Sequence, residues 1–141
     1  MVRVNLINVR NLADQHLMAE YLEIIMLVEY IRKHPIVKEM PKTYRLGKGH
    51  IIFFKNKVKY LKERHEKLAK EMKRRGFKPT KKLNLKGIPR KLFNNWKASK
   101  KDKKIIKKRL LARIRMKPSW YRYCGEKKNK EFWTKLIKNS N

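Results

Sequence analysis

One carboxylate near the start of this chain sits in apolar company. Glu23 lies between Leu22 and the run Ile24-Ile25-Met26. Desolvation and nearby cations set the charge of such a group. Upstream lie Met1-Val2-Arg3 and the block Leu12-Ala13-Asp14-Gln15-His16-Leu17-Met18-Ala19-Glu20-Tyr21, which places polar and ionisable residues in a segment of helical periodicity. Lys plus Arg total 41 against 11 Asp plus Glu, a formal charge of +30. An acid held where nearly every other charge is positive suggests chemistry on a polyanion.

Other residues divide between a structural and a chemical reading. Alone, Glu23 also reads as a solvated helical acid, and His16 as a core or surface histidine. Arg109, Arg113 and Lys117 recur at four-residue steps and share one helical face. That face is either ordinary surface charge or a row for phosphates. Trp120-Tyr121-Arg122-Tyr123 interleaves aromatics with a cation after a basic helix. Such a segment suits sugar-phosphate and stacking contacts, with core aromatics as the alternative. The runs Lys100-Lys101 and Lys103-Lys104 read as solvated charge with nonspecific phosphate attraction. His16, His34, His50 and His65 lack the spacing of a known metal motif, so neither metal nor cofactor is expected.

Composition names a partner class and no activity. A charge of +30 exceeds what solubility needs and attracts nucleic acid or an acidic surface at long range. A hydrophobic fraction of 41% argues against a disordered basic tail. The chain of 141 residues suffices for one domain with a core, spanning 1–141 with residues 126–141 as an extension. Cys124 is the single cysteine, so no disulfide framework is possible and a reducing, intracellular setting fits. No membrane-spanning stretch or signal peptide is expected.

These residues need helices to position them. The first helix is expected from Asn11 or Asp14, both good N-caps, to the residues before Pro35. Its apolar set is Leu17, Met18, Tyr21, Ile24, Ile25 and Val28. Residues 35–49 read as a loop. A second helix is predicted from Ile51 to Arg75, with the stripe Phe54, Val58, Leu61, His65, Leu68 and Met72 as core and Gly76 closing it. A long connection over 77–100 should pack down through Ile88, Leu92, Phe93 and Trp96. A third helix covers Lys101 to Met116, and a short amphipathic tail carries Phe132, Trp133, Leu136 and Ile137. The expected class is all-α: three main helices with long loops and a short C-terminal helical extension.

In this order the residues resemble a known family, the pyrimidine-dimer DNA glycosylase/AP lyases typified by the bacteriophage ultraviolet-damage endonuclease V. The resemblance rests on Arg3, Asn5-Leu6, the run Leu12 to Tyr21, Glu23, Arg32-Lys33-His34, Leu46-Gly47-x-Gly49-His50, Phe53-Phe54, Arg75-Gly76-Phe77, Ile88-Pro89 and Pro118-x-Trp120-Tyr121-x-Tyr123-x-Gly125. It implies base-excision repair of double-stranded DNA carrying a damaged or abasic site. It also implies a catalytic pair, the α-amine of Val2 exposed by loss of Met1, and Glu23. The amine attacks C1′ of the damaged nucleotide and forms an imine, and Glu23 assists ring opening and β-elimination. An α-amine titrates near 7.7–8.0, and Arg3 with the wider positive field favours its free form. The expected DNA contacts are Arg3, Gln15, His16, Tyr21, Lys33, Arg109, Arg113, Lys117, Trp120, Tyr121, Arg122 and Tyr123.

The chain departs from the family at Val2, where threonine is usual, at Ile25, where proline is usual, and at Leu22 and Met26, where arginines hold the DNA backbone. The last two changes make the surroundings of Glu23 more apolar and remove two phosphate-reading cations. They keep open a divergent lyase acting on abasic sites or another lesion. A non-enzymatic basic nucleic-acid-binding protein would explain the charge but not the constellation from Asn5 to Glu23. A monomer is expected, located in the cytoplasm or nucleoid, and a viral source is compatible.

Overall fold

The computed structural model describes residues 3–141. Its long helices are α1 (Asp14–Lys33), α3 (Val58–Arg74) and α4 (Lys100–Met116). The four-residue helix α2 (His50–Phe53) and the C-terminal α5 (Lys130–Lys138) accompany them. A two-stranded hairpin pairs β1 (Arg122–Tyr123) with β2 (Glu126–Lys127). The chain is predominantly helical, as its periodicity implies.

Helix ends follow local chemistry. α1 stops at Lys33, just before Pro35. At the end of α3, Gly76 takes φ +90°. Its N–H reaches Lys73 O, and Phe77 N–H reaches Met72 O. This paired pattern satisfies the last carbonyls and needs a residue at ease in the left-handed region. Ser99 and Asp102 bond each other's backbone N–H at the start of α4. At the start of α1 the expected caps do other work: Ala13 is the N-cap, Asn11 donates to Leu136 O, and Asp14 turns to the hairpin described below.

The single helix expected over Ile51–Arg75 is two. Lys57 leaves the helical region at φ −121°, ψ 41° and bridges to Phe93. Its ammonium donates to Phe53 O at 2.8 Å and to Asn56 Oδ1 at 3.1 Å, closing α2. The break seats Phe53 and Phe54 with Tyr44 and Trp96, ring centroids 5.1–6.3 Å apart. Long-range packing here outweighs an unbroken helical stripe. The 77–100 segment packs down as expected, with Ile88 and Leu92 in the core. α5 buries Trp133 and Ile137, and Asn8 N–H donates to Asn141 O. The tail therefore braces both α4 and the N-terminal segment.

That segment is what the fold delivers to the site. Arg3 through Ile7 are buried without forming a helix, so their backbone groups need side-chain partners. Val4 N–H donates to His50 Nε2 at 3.0 Å, and Tyr44 hydroxyl donates to Val4 O at 3.0 Å. Leu6 is held at φ +59°, a conformation that costs a branched residue about 1–3 kcal/mol. The next carbonyl, Ile7 O, accepts from Arg64 Nη1 at 2.6 Å. Arg64 in turn makes a two-pronged pair with Glu20 at 2.6 and 3.0 Å, both side chains buried.

Two outcomes follow for stability. Glu20→Ala strands the buried Arg64 guanidinium and releases the strained turn. Urea denaturation should show a loss of about 3–5 kcal/mol, whereas a loss below about 1 kcal/mol would mean that the pair does not support the segment. His50 must stay neutral at Nε2 to accept from Val4, because its Nδ1 faces Arg45 O at 2.8 Å and holds the proton. Burial, followed by Arg3 and Arg109, brings its pKa down to about 4 against the hydrogen bond to Arg45. The unfolded imidazole takes its proton near 6.5. His50 therefore stabilises the fold above pH 6.5, and that support drains away between pH 6.5 and 4. His50→Gln should flatten the wild-type stability–pH slope in this window. An unchanged slope assigns the acid loss to other groups.

Candidate active site and nucleic-acid face

Val2 lies outside the described residues. Its chain neighbour does not. Arg3 N–H donates to Glu23 Oε2 at 3.1 Å. The start of the chain and the carboxylate are thus joined through backbone, and the bond needs no particular side chain at residue 2. Glu23 is half-buried on α1. Burial raises its pKa, while the Arg3 amide and Arg109 oppose that rise. The carboxylate therefore keeps a proton more readily than an ordinary glutamate.

Cations crowd this carboxylate. Burial lowers the pKa of Arg109, and repulsion from Arg3 and Arg113 lowers it further. Burial likewise lowers Arg3, with Glu23 acting against it. Arg3 and Arg109 thus act on Glu23, and Arg113 acts on both of those arginines. His16 joins them. Burial, then Arg109 and Arg113, bring its pKa down to about 4, so the ring is neutral near pH 7. Its Nδ1 is buried without a hydrogen-bond partner among the described residues. Three guanidiniums, a neutral imidazole and a proton-retaining carboxylate suit an anionic substrate that undergoes proton transfer.

The segment after α4 divides by role. Trp120 is 55% exposed, with Lys117 Nζ 5.8 Å from its ring centre. That pair offers a stacking face and a cation. Tyr121 is buried, its ring 4.8 Å from His16. Arg122 folds its guanidinium onto Ser119 O and Tyr121 O. Tyr123 donates to Arg10 O at 2.8 Å and lies under Arg75 at 4.2 Å. The expected contact surface of three aromatics and one cation is thus chiefly Trp120 on three inward-held supports.

Gln15 holds the same segment. It donates to Trp120 O at 2.7 Å and accepts from Arg122 N–H at 3.0 Å. Asp14 accepts from Cys124 N–H at 3.0 Å and Gly125 N–H at 2.8 Å. These two residues make the hairpin turn at φ +50° and +79°, a two-residue turn with both φ positive. Gln15 is thereby occupied as a support.

Tyr21 and Lys33 lie elsewhere. Tyr21 is 3% exposed, stacks on His65 at 4.4 Å, and bonds the Lys81 backbone in both directions through its hydroxyl. Two positions from Glu23 on a helix, it points to nearly the opposite side. The contact with DNA expected of Tyr21 has no free polar atom or ring face to make it. Lys33 is exposed beside Glu29 at 3.7 Å, about 15 Å along α1 from Glu23 by helical rise. Sequence reasoning missed Tyr44 and His50 as supports of the N-terminal segment. The only signal was His50 closing the matched Leu46-Gly47-x-Gly49-His50.

Among the described residues, no group of three or more His, Cys, Asp or Glu side chains could hold a metal ion, and no helix is long and apolar enough to cross a membrane.

The model of the family described as pyrimidine dimer DNA glycosylase matches residues 1–85. The match takes in the N-terminal segment, Glu23 on α1, the Tyr44–His50 support and α3. It covers more than half of the 141 residues. This chain belongs to the pyrimidine dimer DNA glycosylase family, whose members are DNA-repair enzymes acting on DNA.

Proposed function

We propose that this protein is a DNA glycosylase with AP lyase activity on pyrimidine dimers, using the α-amine of Val2 as nucleophile after loss of Met1. One observation carries the reading: the Arg3 amide donates to Glu23. The residue-2 nitrogen is three covalent bonds from that amide nitrogen. In the first step the amine nitrogen bonds to C1′, and the glycosidic bond breaks with its electron pair leaving on the base, which takes up a proton. Glu23 then supports opening of the sugar ring as the imine forms. β-Elimination removes a proton at C2′ and expels the 3′ phosphate. A carboxylate with raised proton affinity serves both donation and acceptance. Arg109, Arg113, Lys117 and Trp120 would grip the strand, and the neutral His16 would meet the displaced nucleotide. Flipping that nucleotide costs a few kcal/mol, less at a damaged site.

A second reading is favoured by Leu22 and Met26, which are 45% and 61% exposed beside Glu23. Neither can hydrogen-bond a phosphate, and charge-assisted bonds contribute about 1.5–3 kcal/mol each. Capturing a sugar that is already an aldehyde needs less positioning than expelling a stacked base. The enzyme would then be a lyase for abasic sites, or a glycosylase for another lesion, with reduced dimer excision.

Borohydride should trap a covalent complex with abasic-site DNA, and blocking the N-terminal amine should abolish it. Trapping that survives the block would point to a lysine. Glu23→Gln keeps shape and removes charge, so DNA binding should persist while turnover falls at least about 10²-fold; near-normal turnover would sink the role of Glu23. A lesion panel separates the two readings. Under the second, strand cleavage at abasic sites exceeds dimer excision, and Leu22→Arg with Met26→Arg raises dimer excision more. Equal gains on both substrates would remove these positions as determinants of lesion choice.

A further inference from the structure

Leu22 and Met26 follow one another at i, i+4 on the outer face of α1, exposed at 45% and 61%. Ala19 and Tyr30 continue that face on either side, both exposed. Tyr30 is already engaged, with Lys55 Nζ 5.6 Å over its ring and His34 at 4.7 Å. Ala19 is too small to reach out. Leu22 and Met26 are therefore the projecting apolar pair, and they bracket Glu23 at −1 and +3.

Charge complementarity names the occupant. In the N-terminal half of α1, Arg109 acts on both Glu23 and His16 and Arg113 acts on His16, and Lys33 is exposed at the C-terminal end. In a chain of charge +30, an anionic polymer is the partner that suits this face. Its phosphates fit the cations, and its apolar parts, base faces and deoxyribose, fit the side chains between them. Intact duplex shows few base faces. A duplex from which one nucleotide has been displaced shows several. Apolar side chains do insert between base steps in this manner, at the cost of unstacking and with a gain in contact.

We propose that Leu22 and Met26 form an apolar wedge that packs against the base faces and sugars left open where the damaged nucleotide leaves the stack. The wedge rests on the glycosylase/lyase reading of Glu23 and gives it selectivity for duplex already weakened. Affinity then comes from burying side chains against bases and is insensitive to salt, in contrast to a phosphate clamp.

The test uses the full-length protein and two duplexes, one undamaged and one with a tetrahydrofuran abasic analogue opposite 2-aminopurine. Unaltered protein should raise 2-aminopurine emission. Leu22→Ala with Met26→Ala should lose that rise and bind the abasic duplex roughly tenfold more weakly, the loss expected on removing two partly buried apolar side chains. Affinity for undamaged duplex and its salt slope should hold. Arg113→Ala is the contrast: it should weaken both duplexes and lower the slope by about one. Equal weakening on both duplexes, or an unchanged 2-aminopurine signal in the double variant, overturns the wedge. Circular dichroism of the double variant guards against misfolding, and Leu22→Ile with Met26→Leu, which keeps the apolar volume, should restore the signal. Absence of any borohydride-trapped complex with unaltered protein on a true abasic site would instead overturn the underlying reading of Glu23, a result separable from failure of the wedge.

Discussion

A single buried guanidinium holds four parts of the molecule together. The Arg75 side chain is fully buried at the end of α3. It bonds Glu71 at 2.8 Å and Asp14 at 2.9 Å, and it reaches Val9 O at 3.3 Å and Arg10 O at 3.2 Å. Its flat face lies on Tyr123 at 4.2 Å. Thus α3, the start of α1, the N-terminal turn and the hairpin share one cation. Its fork has a partner on every side, which a lysine could not reproduce. A buried charge left half-satisfied would be worse than none. Asp14 passes the constraint on: bound to Arg75, its carboxylate also fixes the Cys124-Gly125 turn. Gln15 then clamps the adjacent Trp120 and Arg122 backbone. The stacking face at Trp120 is positioned by α1, the helix that also carries Glu23.

Much of this was legible in the sequence, and the failures have a common cause. Helix ends were legible where the signal is local: Pro35 after α1 and Gly76 after α3, while the equally local Ser99-x-x-Asp102 cap of α4 went unread. The break between α2 and α3 was not. Phe54 and Val58 keep a helical spacing across it, and what cuts the helix is Lys57 pairing with Phe93 and an aromatic cluster completed by Trp96. Both partners are far along the chain. Glu23 stood out because its neighbours are its sequence neighbours. Tyr44 and His50 did not, because their task is to satisfy backbone that lies 40 and 46 residues away. Gln15 and Tyr21 were marked as important for a reason different from the structural one. Residue type alone cannot say whether an amide or a hydroxyl is spent inside the protein or offered outside it.

The wide charge and the local cluster act on different scales. A formal +30 draws polyanions from a distance and is screened by salt. Around Glu23, by contrast, Arg3, Arg109 and Arg113 repel one another at close quarters in a partly desolvated setting. Folding tolerates that repulsion because Glu23 offsets part of it. A bound phosphate would offset more. A phosphate placed there would therefore be drawn by cations whose mutual repulsion Glu23 offsets only in part.

The same balance governs Glu23. Apolar neighbours and burial push its proton affinity up, and the Arg3 amide and Arg109 pull it down, with burial prevailing. Arginines flanking it on α1 would have shifted that contest toward the ionised form. Leu22 and Met26 shift it the other way. Their exposure in the free protein leaves water close to the carboxylate. Cover that face with base and sugar and the water goes, so desolvation grows while the backbone hydrogen bond stays. On the proposed wedge, substrate binding would itself raise the proton affinity of Glu23, tying the arrival of opened DNA to the proton that the proposed opening of the sugar ring requires.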